Sequence, residues 1–157
     1  MKFIKKIFML VGNIIPPPLN KFFYMFGGVK FEDIRKTWVG NNCYFDTEYP
    51  ELIIIKKNVC ISSKVILITH FDPTKAIKLH KIKNYQRKIV INENVFIGPG
   101  SIINPGITLK KNCFVTSGCN VKNNFKEFDI LEGNPAVKIG NLNNSRYVNL
   151  INLINKK

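Results

Sequence analysis

The 157-residue chain has no stretch approaching the roughly 20 uninterrupted apolar residues that a membrane-crossing helix needs, so a transmembrane protein is not expected. Its four cysteines, at 43, 60, 113 and 119, form no Cys-x-x-Cys pair and have no histidine at zinc spacing. No secretory context accompanies them, so reduced thiols in a cytoplasmic protein are expected. Acid is scarce. Ten Asp+Glu stand against 24 Lys+Arg, a net charge of +14 that asks for an anionic partner: nucleic acid, an anionic membrane surface or a phosphorylated ligand. Nucleic acid is the weakest of the three, because the chain carries no aromatic platform or base-reading motif. What is plentiful is apolar residues, 45% of the chain and evenly spread, which excludes a disordered basic tail and points to one domain with an ordinary core.

The first 25 residues have the outline of a targeting segment, with Lys2, Lys5 and Lys6 ahead of the apolar Ile7–Ile15 and the prolines at 16 to 18. That apolar stretch is only nine residues long, holds Gly12 and Asn13, and lacks a small-x-small cleavage site, so it reads as mature chain. Phe3, Ile4, Ile7, Phe8 and Leu10 beside the lysines suit a short amphipathic helix. Such a helix either packs on the domain or rests, through residues 1 to 15, on an acidic membrane surface.

The strongest signal is a period of six. Branched apolar residues fall at Ile55, Ile61 and Leu67 and, after an interruption, at Ile91, Ile97, Ile103, Leu109, Val115 and Val121. A second series follows four residues behind: Val59, Val65, Val95, Ser101, Ile107, Cys113 and Cys119, with Phe125 as its bulky member. Six residues are three strand alternations with a turn built in, and three such faces make one turn of a parallel β-helix. Coils stacked at the strand spacing would pile each series into an apolar column, giving Cys43, Cys113 and Cys119 a structural role. Gly98, Gly100, Gly106 and Gly118 and the asparagines at 58, 94, 112 and 120 fall between the strand-like pieces, where positive φ is useful. The interruption from Phe71 to Lys88 is rich in lysine and must leave the coil as an external loop. Phe45 to Ile54 lengthens a turn near the start, and the pattern stops at Gly133-Asn134-Pro135. The expectation is a single all-β solenoid with a helical segment over 1–30, a β-helix over 39–132 and a cap over 133–157.

Four stretches carry more than periodicity: D-T-E-Y-P-E-L-I at 46 to 53, I-T-H-F-D-P-T at 68 to 74, N-V-F-I-G-P-G-S-I-I-N-P-G-I-T-L at 94 to 109, and G-N-P-A at 133 to 136. Through them, over about residues 39 to 140, the chain resembles the hexapeptide-repeat acyltransferases. The resemblance is to the branch of galactoside and maltose O-acetyltransferases and the acetyltransferases of bacterial surface-polysaccharide assembly. It implies a left-handed parallel β-helix, a homotrimer, acetyl-CoA as acyl donor and no metal. It also implies that His70 is the general base, taking a proton from an acceptor hydroxyl or amine as that group attacks the thioester carbonyl. A backbone N–H at a coil turn would steady the developing oxyanion.

By the same resemblance, Asp46 holds a sugar hydroxyl; Asp72, two residues after His70, orients the loop, contacts the acceptor or caps the turn before Pro73. On the donor side, Phe96 packs near the pantetheine, Pro99 touches the coenzyme, and Ser117 and Gly118 offer backbone to the pantetheine arm. Lys122 and Lys138 face the phosphates, although Val137 and Gly140 stand where relatives often carry Arg or Lys. His80, inside the loop with no motif around it, reads as a surface residue. The implied activity is O-acetylation of a saccharide in surface-polysaccharide or lipopolysaccharide biosynthesis. N-acetylation of a nucleotide-linked amino sugar uses the same base, and a basic non-catalytic scaffold would explain the charge but not the His70 motif. A γ-type carbonic anhydrase needs three histidine ligands, and this chain has two histidines.

Overall fold

A computed structural model describes residues 2–144. Two helices packed on each other, α1 (Lys2–Ile14) and α2 (Asn20–Gly27), precede sixteen short strands among the described residues. One short helix was expected here. The prolines at 16 to 18 lack the amide hydrogens a helix needs and split the segment in two.

The strands β1 (Lys30–Phe31), β2 (Trp38–Val39) and β3 (Tyr44–Phe45) form a first coil, followed by β4 (Ile53–Ile55), β5 (Cys60–Ile61) and β6 (Ile66–Leu67) as a second. The chain then leaves through β7 (His70–Phe71), α3 (Lys75–Lys78) and β8 (Tyr85–Gln86). It returns as β9 (Ile89–Ile91), β10 (Phe96–Ile97) and β11 (Ile102–Ile103), then β12 (Thr108–Leu109), β13 (Phe114–Val115) and β14 (Asn120–Val121), and ends with β15 (Asp129–Glu132) and β16 (Val137–Asn141). Successive strands fall in three different sheets, ordered β1-β4-β9-β12, β2-β5-β10-β13-β15-β16 and β3-β6-β11-β14. Every pairing within the first and third sheets is parallel, as is every pairing of the second except β15 with β16. The coil thus begins at Lys30, one coil earlier than the repeat beginning at Ile55 and ahead of the expected start at 39. Phe31 occupies the column position of that first strand, an aromatic where the later coils carry branched residues.

Register follows the period. Val39, Ile61, Ile97, Val115 and Leu131 align in one column, and Phe45, Leu67, Ile103 and Val121 in another, all at most 1% exposed. A two-residue strand has too few hydrogen bonds to persist alone; stacking buries one large side chain per strand, at about 1.5–3 kcal/mol each. The second series is buried as well, from Val59 to Cys119, with Phe125 partly so.

Corners need left-handed backbone. Asn58, Asn94 and Asn112 have φ of 58°, 60° and 58°, and the Asn58 amide donates to Asn94 Oδ1 at 3.1 Å while Asn94 donates to Asn112 Oδ1 at 2.9 Å. A second corner uses Asn42, Lys64, Gly100 and Gly118. Two expected turn residues differ. Asn120 lies within β14, and Gly98 has no positive φ but admits no side chain, since a Cβ would sit 2.6 Å from the Thr116 carbonyl carbon.

Helices cover the first coil. Met9 and Tyr24 are buried against it, and the Asn20 amide donates to the Val39 and Gly40 carbonyls at 3.1 and 3.0 Å. At the other end β16 turns back antiparallel on β15, which interrupts the parallel stack as a cap requires. The remainder of the expected cap, residues 145–157, lies outside the described residues.

Candidate active site

The external loop leaves the coil just beyond β6 and is closed at its base by the Arg87 amide, which donates to the Thr69 carbonyl at 2.8 Å. It is no featureless excursion: His70 and Phe71 pair antiparallel with Gln86 and Tyr85. This hairpin fixes the backbone of His70 at the edge of the stack.

Beneath it lies Asp46, the residue after Phe45 of the apolar column. Asp46 is fully buried, and its amide donates to the Leu67 carbonyl at 3.0 Å, so its position is set by the coil. A buried carboxylate is costly unless its lone pairs are filled. Here they are. Oδ2 accepts from the Thr69 amide at 2.9 Å and the Thr69 hydroxyl at 2.7 Å, and Oδ1 accepts from the Glu48 amide at 3.0 Å. The fourth contact is His70 Nδ1, 2.6 Å from Oδ2. Burial would push the Asp46 carboxyl up, but the Thr69 amide, the His70 ring, the Thr69 hydroxyl and the Glu48 amide outweigh it and hold the group below its ordinary value. An ionised Asp46 makes Nδ1 the protonated nitrogen and leaves the Nε2 lone pair free. Asp46, expected to hold an acceptor hydroxyl, is buried behind the histidine with both carboxylate oxygens accepting from protein groups.

The His70 side chain is 27% exposed and lies edge-on to Tyr49, with ring centroids 5.5 Å apart at 65°. The Tyr49 hydroxyl accepts from Gln86 Nε2 at 2.8 Å, tying the loop hairpin to the turn after β3. Together with Phe71, Asp72 and Tyr85 these residues line a cleft of about 150 Å³. Asp72 is on its rim, exposed and paired with Lys78 at 2.9 Å. Glu48 and Tyr49 also line a larger cavity of about 360 Å³ against Phe3, Lys5 and Lys6 of α1. Thr69, Tyr49 and Gln86 were not singled out from the sequence. Thr69 and Tyr49 nevertheless lie inside the motif stretches, and adjacency to His70 and Asp46 was the available signal.

The residues expected on the donor side do not form one cluster within the chain. Pro99 and Gly118 stack at one corner, where the Gly118 amide donates to the Pro99 carbonyl at 2.9 Å with Ser117 exposed beside them. Space beyond Gly118 is open: nothing lies within 4 Å of where its Cβ would be, which suits the close approach of an extended ligand. Phe96 is on the outer face of the second sheet, stacked on Phe114 at 4.8 Å and 13°. Lys122 is exposed just after β14. Lys138, on β16, is held by Asp129 at 2.6 Å, so its ammonium already has a carboxylate partner. Exposed His80 lies past α3 in the loop, away from the residues lining the cleft.

The site is thus a histidine backed by a buried carboxylate where a long loop leaves a three-sheet coil. No family model matches the chain. The chain is, however, 36% identical over 145 residues to protein CapG of Staphylococcus aureus, covering 80% of this chain and 84% of that one. It is 26% identical over 151 residues to the galactoside O-acetyltransferase of Lactococcus lactis, covering 94% of this chain and 70% of the relative. Among solved structures, a maltose O-acetyltransferase from Clostridium difficile superposes with a TM-score of 0.68 at 21% identity, covering 89% of this chain and 85% of the other. A galactoside acetyltransferase in complex with coenzyme A gives 0.64 at 22%, covering 92% and 82%. The chain belongs to the hexapeptide-repeat acetyltransferases, and it is an acyltransferase.

Proposed function

We propose that this chain transfers an acetyl group from acetyl-CoA to a hydroxyl of a saccharide, in the assembly of a surface polysaccharide or lipopolysaccharide, with His70 as general base. The observation that carries the reading is the 2.6 Å contact between His70 Nδ1 and buried Asp46. With Nδ1 committed to a carboxylate, Nε2 is the basic nitrogen and accepts the acceptor's proton, and Asp46 stabilises the imidazolium that results. Thr69 and the Glu48 amide keep Asp46 in place, and Tyr49 limits rotation of the ring. Acetyl-CoA supplies the activated thioester. Gly118, Pro99 and Ser117 would line its approach, Phe96 would flank it, and Lys122 is the better of the two expected phosphate contacts because Lys138 is paired with Asp129.

Trp38, Phe96 and Phe114 on the outer face of the second sheet support a homotrimer, since Trp38 alone is 49% exposed and a partner would cover such a surface. The left-handed sense of the coil, a single acyltransferase domain and a cytoplasmic setting, with peripheral membrane contact through residues 1 to 15, complete the reading. The basic loop favours an anionic or phosphate-linked sugar, and Asp72 on the rim would contact an acceptor hydroxyl or orient the loop. Acetylation of an amino group is the second reading, since an Nε2 base serves either nucleophile.

Release of free thiol from acetyl-CoA, followed with purified protein and a panel of neutral, uronic and nucleotide-linked sugars, tests the proposal. Acceptor-dependent release that is lost in His70→Ala is expected. Acceptor-dependent release equal in both proteins would overturn the role of His70.

A further inference from the structure

Helix α1 is packed on one side only. Met9 is buried, Gly12 lies against Tyr24 and Phe23, and Phe8 meets Phe23 and Phe26. The opposite side exposes Phe3 at 75%, Ile4 at 57%, Ile7 at 44%, Leu10 at 58% and Ile14 at 81%. Positions 3, 4, 7, 10 and 14 recur at helical spacing, so these side chains form one stripe along the helix. Leu19 and Phe26 of the neighbouring helix are each 58% exposed and add to the apolar surface of the helical cap. Scattered exposed apolar residues are ordinary; a stripe of five on one 13-residue helix is an interaction surface.

Charge identifies the partner. Neither α1 nor α2 contains an acidic residue, and residues 2–44 hold seven Lys or Arg (2, 5, 6, 21, 30, 35, 36) against two acids, Glu32 and Asp33. Lys6 is paired with Glu48, Lys21 is buried on the Thr37 carbonyl and Arg35 is 3.6 Å from Asp33, while Lys30 and Lys36 are exposed on the first coil, which the helices cover. An apolar stripe on a segment with this surplus of cations complements a layer of anionic headgroups over acyl chains. Among the described residues no helix is long and apolar enough to cross a membrane, so such a helix lies in the interface plane.

We propose that the exposed face of α1, with Leu19 and Phe26, docks on an anionic lipid surface. This assigns the membrane contact to a particular face and deepens the transferase reading, on which its bearing for the acceptor rests. Phe3 belongs both to the stripe and to the 360 Å³ cavity that shares Glu48 and Tyr49 with the His70 cleft. A saccharide carried on a lipid phosphate at that surface would then meet the histidine on the side lined by Glu48 and Tyr49.

The test is flotation of the full chain with vesicles of phosphatidylcholine alone and of phosphatidylcholine with phosphatidylglycerol. The wild type is compared with Ile4→Asn/Ile7→Asn/Leu10→Asn, whose residues are exposed and outside both cavities, and with His70→Ala. Wild type and His70→Ala should float with the anionic vesicles, and the triple variant should be recovered about tenfold less. Neutral vesicles should recover little of any protein. Acceptor-dependent thiol release in solution by the triple variant, at the wild-type rate, shows that it is folded. Equal flotation of wild type and triple variant, no flotation with either vesicle, or a fall in oligomer size of the triple variant with vesicle binding unchanged would each overturn the docking surface. The last of these would assign the stripe to a second copy of the chain. Flotation without acceptor-dependent thiol release from any saccharide would instead count against the transferase reading and leave the docking surface standing.

Discussion

His70 and Asp46, 24 residues apart in the chain, meet at 2.6 Å because consecutive coils place the end of β3 beside the end of β6. The pairing sets the tautomer of the imidazole as well as its orientation. Asp46→Asn preserves the shape of the side chain and removes the charge, so Nδ1 loses its reason to carry the proton and the imidazolium loses its counter-ion. Turnover should fall by about 100-fold or more, with KM for acetyl-CoA nearly unchanged. Steady-state thiol release gives both constants, and a fall confined to KM would remove the positioning role.

The same carboxylate makes stability depend on pH in a defined direction. Asp46 titrates below its ordinary value in the folded protein, whereas in the unfolded chain it takes the usual value of about 3.9. Its ionisation therefore stabilises the fold above that unfolded value, and the contribution is lost as pH falls through the lower folded value. Thermal unfolding of wild type and Asp46→Asn should differ most near neutrality, and the gap should close as pH is lowered through 4 towards 2. A gap independent of pH would mean that the carboxylate's charge adds nothing.

The six-residue period made the columns legible because each inward residue is specified by burial from both neighbouring coils, a constraint repeated at every turn. Asp46 and His70 could be picked out individually, but their contact could not. It depends on the lengthened turn between β3 and β4 and on the loop after β6, where the period is interrupted and spacing no longer reports position. Only the first strand, ahead of residue 39, escaped: Phe31 fills its column site with an aromatic beside Ile55, as Phe45 does beside Leu67, where Tyr24 lies on Phe45 with ring centroids 4.3 Å apart. Lys138 has a partner that its position in the sequence did not reveal. Its charge suggested a phosphate contact, whereas the antiparallel return of β16 brings it to Asp129.

Tyr85 offers a test of the acceptor side. Its ring lies 5.6 Å from that of Phe71 and 5.2 Å from the Arg87 guanidinium, and it lines the His70 cleft without touching Asp46 or His70 in any hydrogen bond. An aromatic face beside a cation suits a sugar ring bearing an anionic group. Tyr85→Ala should raise the acceptor's KM about tenfold while leaving the KM for acetyl-CoA unaltered. Equal increases in both would indicate collapse of the loop rather than loss of a sugar contact.

Thiol chemistry should report the columns directly. Cys43 and Cys113 are buried, and burial raises both thiols, Cys113 to about 11; Cys119 is buried as well. Cys60 points outward and is partly exposed, with its thiol raised by partial burial. At pH 8 an aromatic disulfide reagent should modify one thiol per native chain, slowly, and four after unfolding in guanidinium. For Cys113 the raised value means that the neutral thiol stabilises the fold fully below about 9 and that this is lost as pH rises through about 11. Modification of two or more thiols in the native protein at pH 8 would contradict the burial.

Gly98 and Gly118 separate packing from function at neighbouring coils. A Cβ on Gly98 would strike the Thr116 backbone at 2.6 Å, so Gly98→Ala should destabilise the stack by about 2–3 kcal/mol, read as a lowered Tm. Gly118 has open space where its Cβ would stand, and only its φ of 68° resists a side chain. Gly118→Ala should therefore cost about 1–2 kcal/mol of backbone strain. Its Cβ would project into the space proposed for the pantetheine arm, raising the KM for acetyl-CoA several-fold with the acceptor's KM unchanged. Should Gly118→Ala bind acetyl-CoA as the wild type does, the donor would have to approach along another corner of the coil.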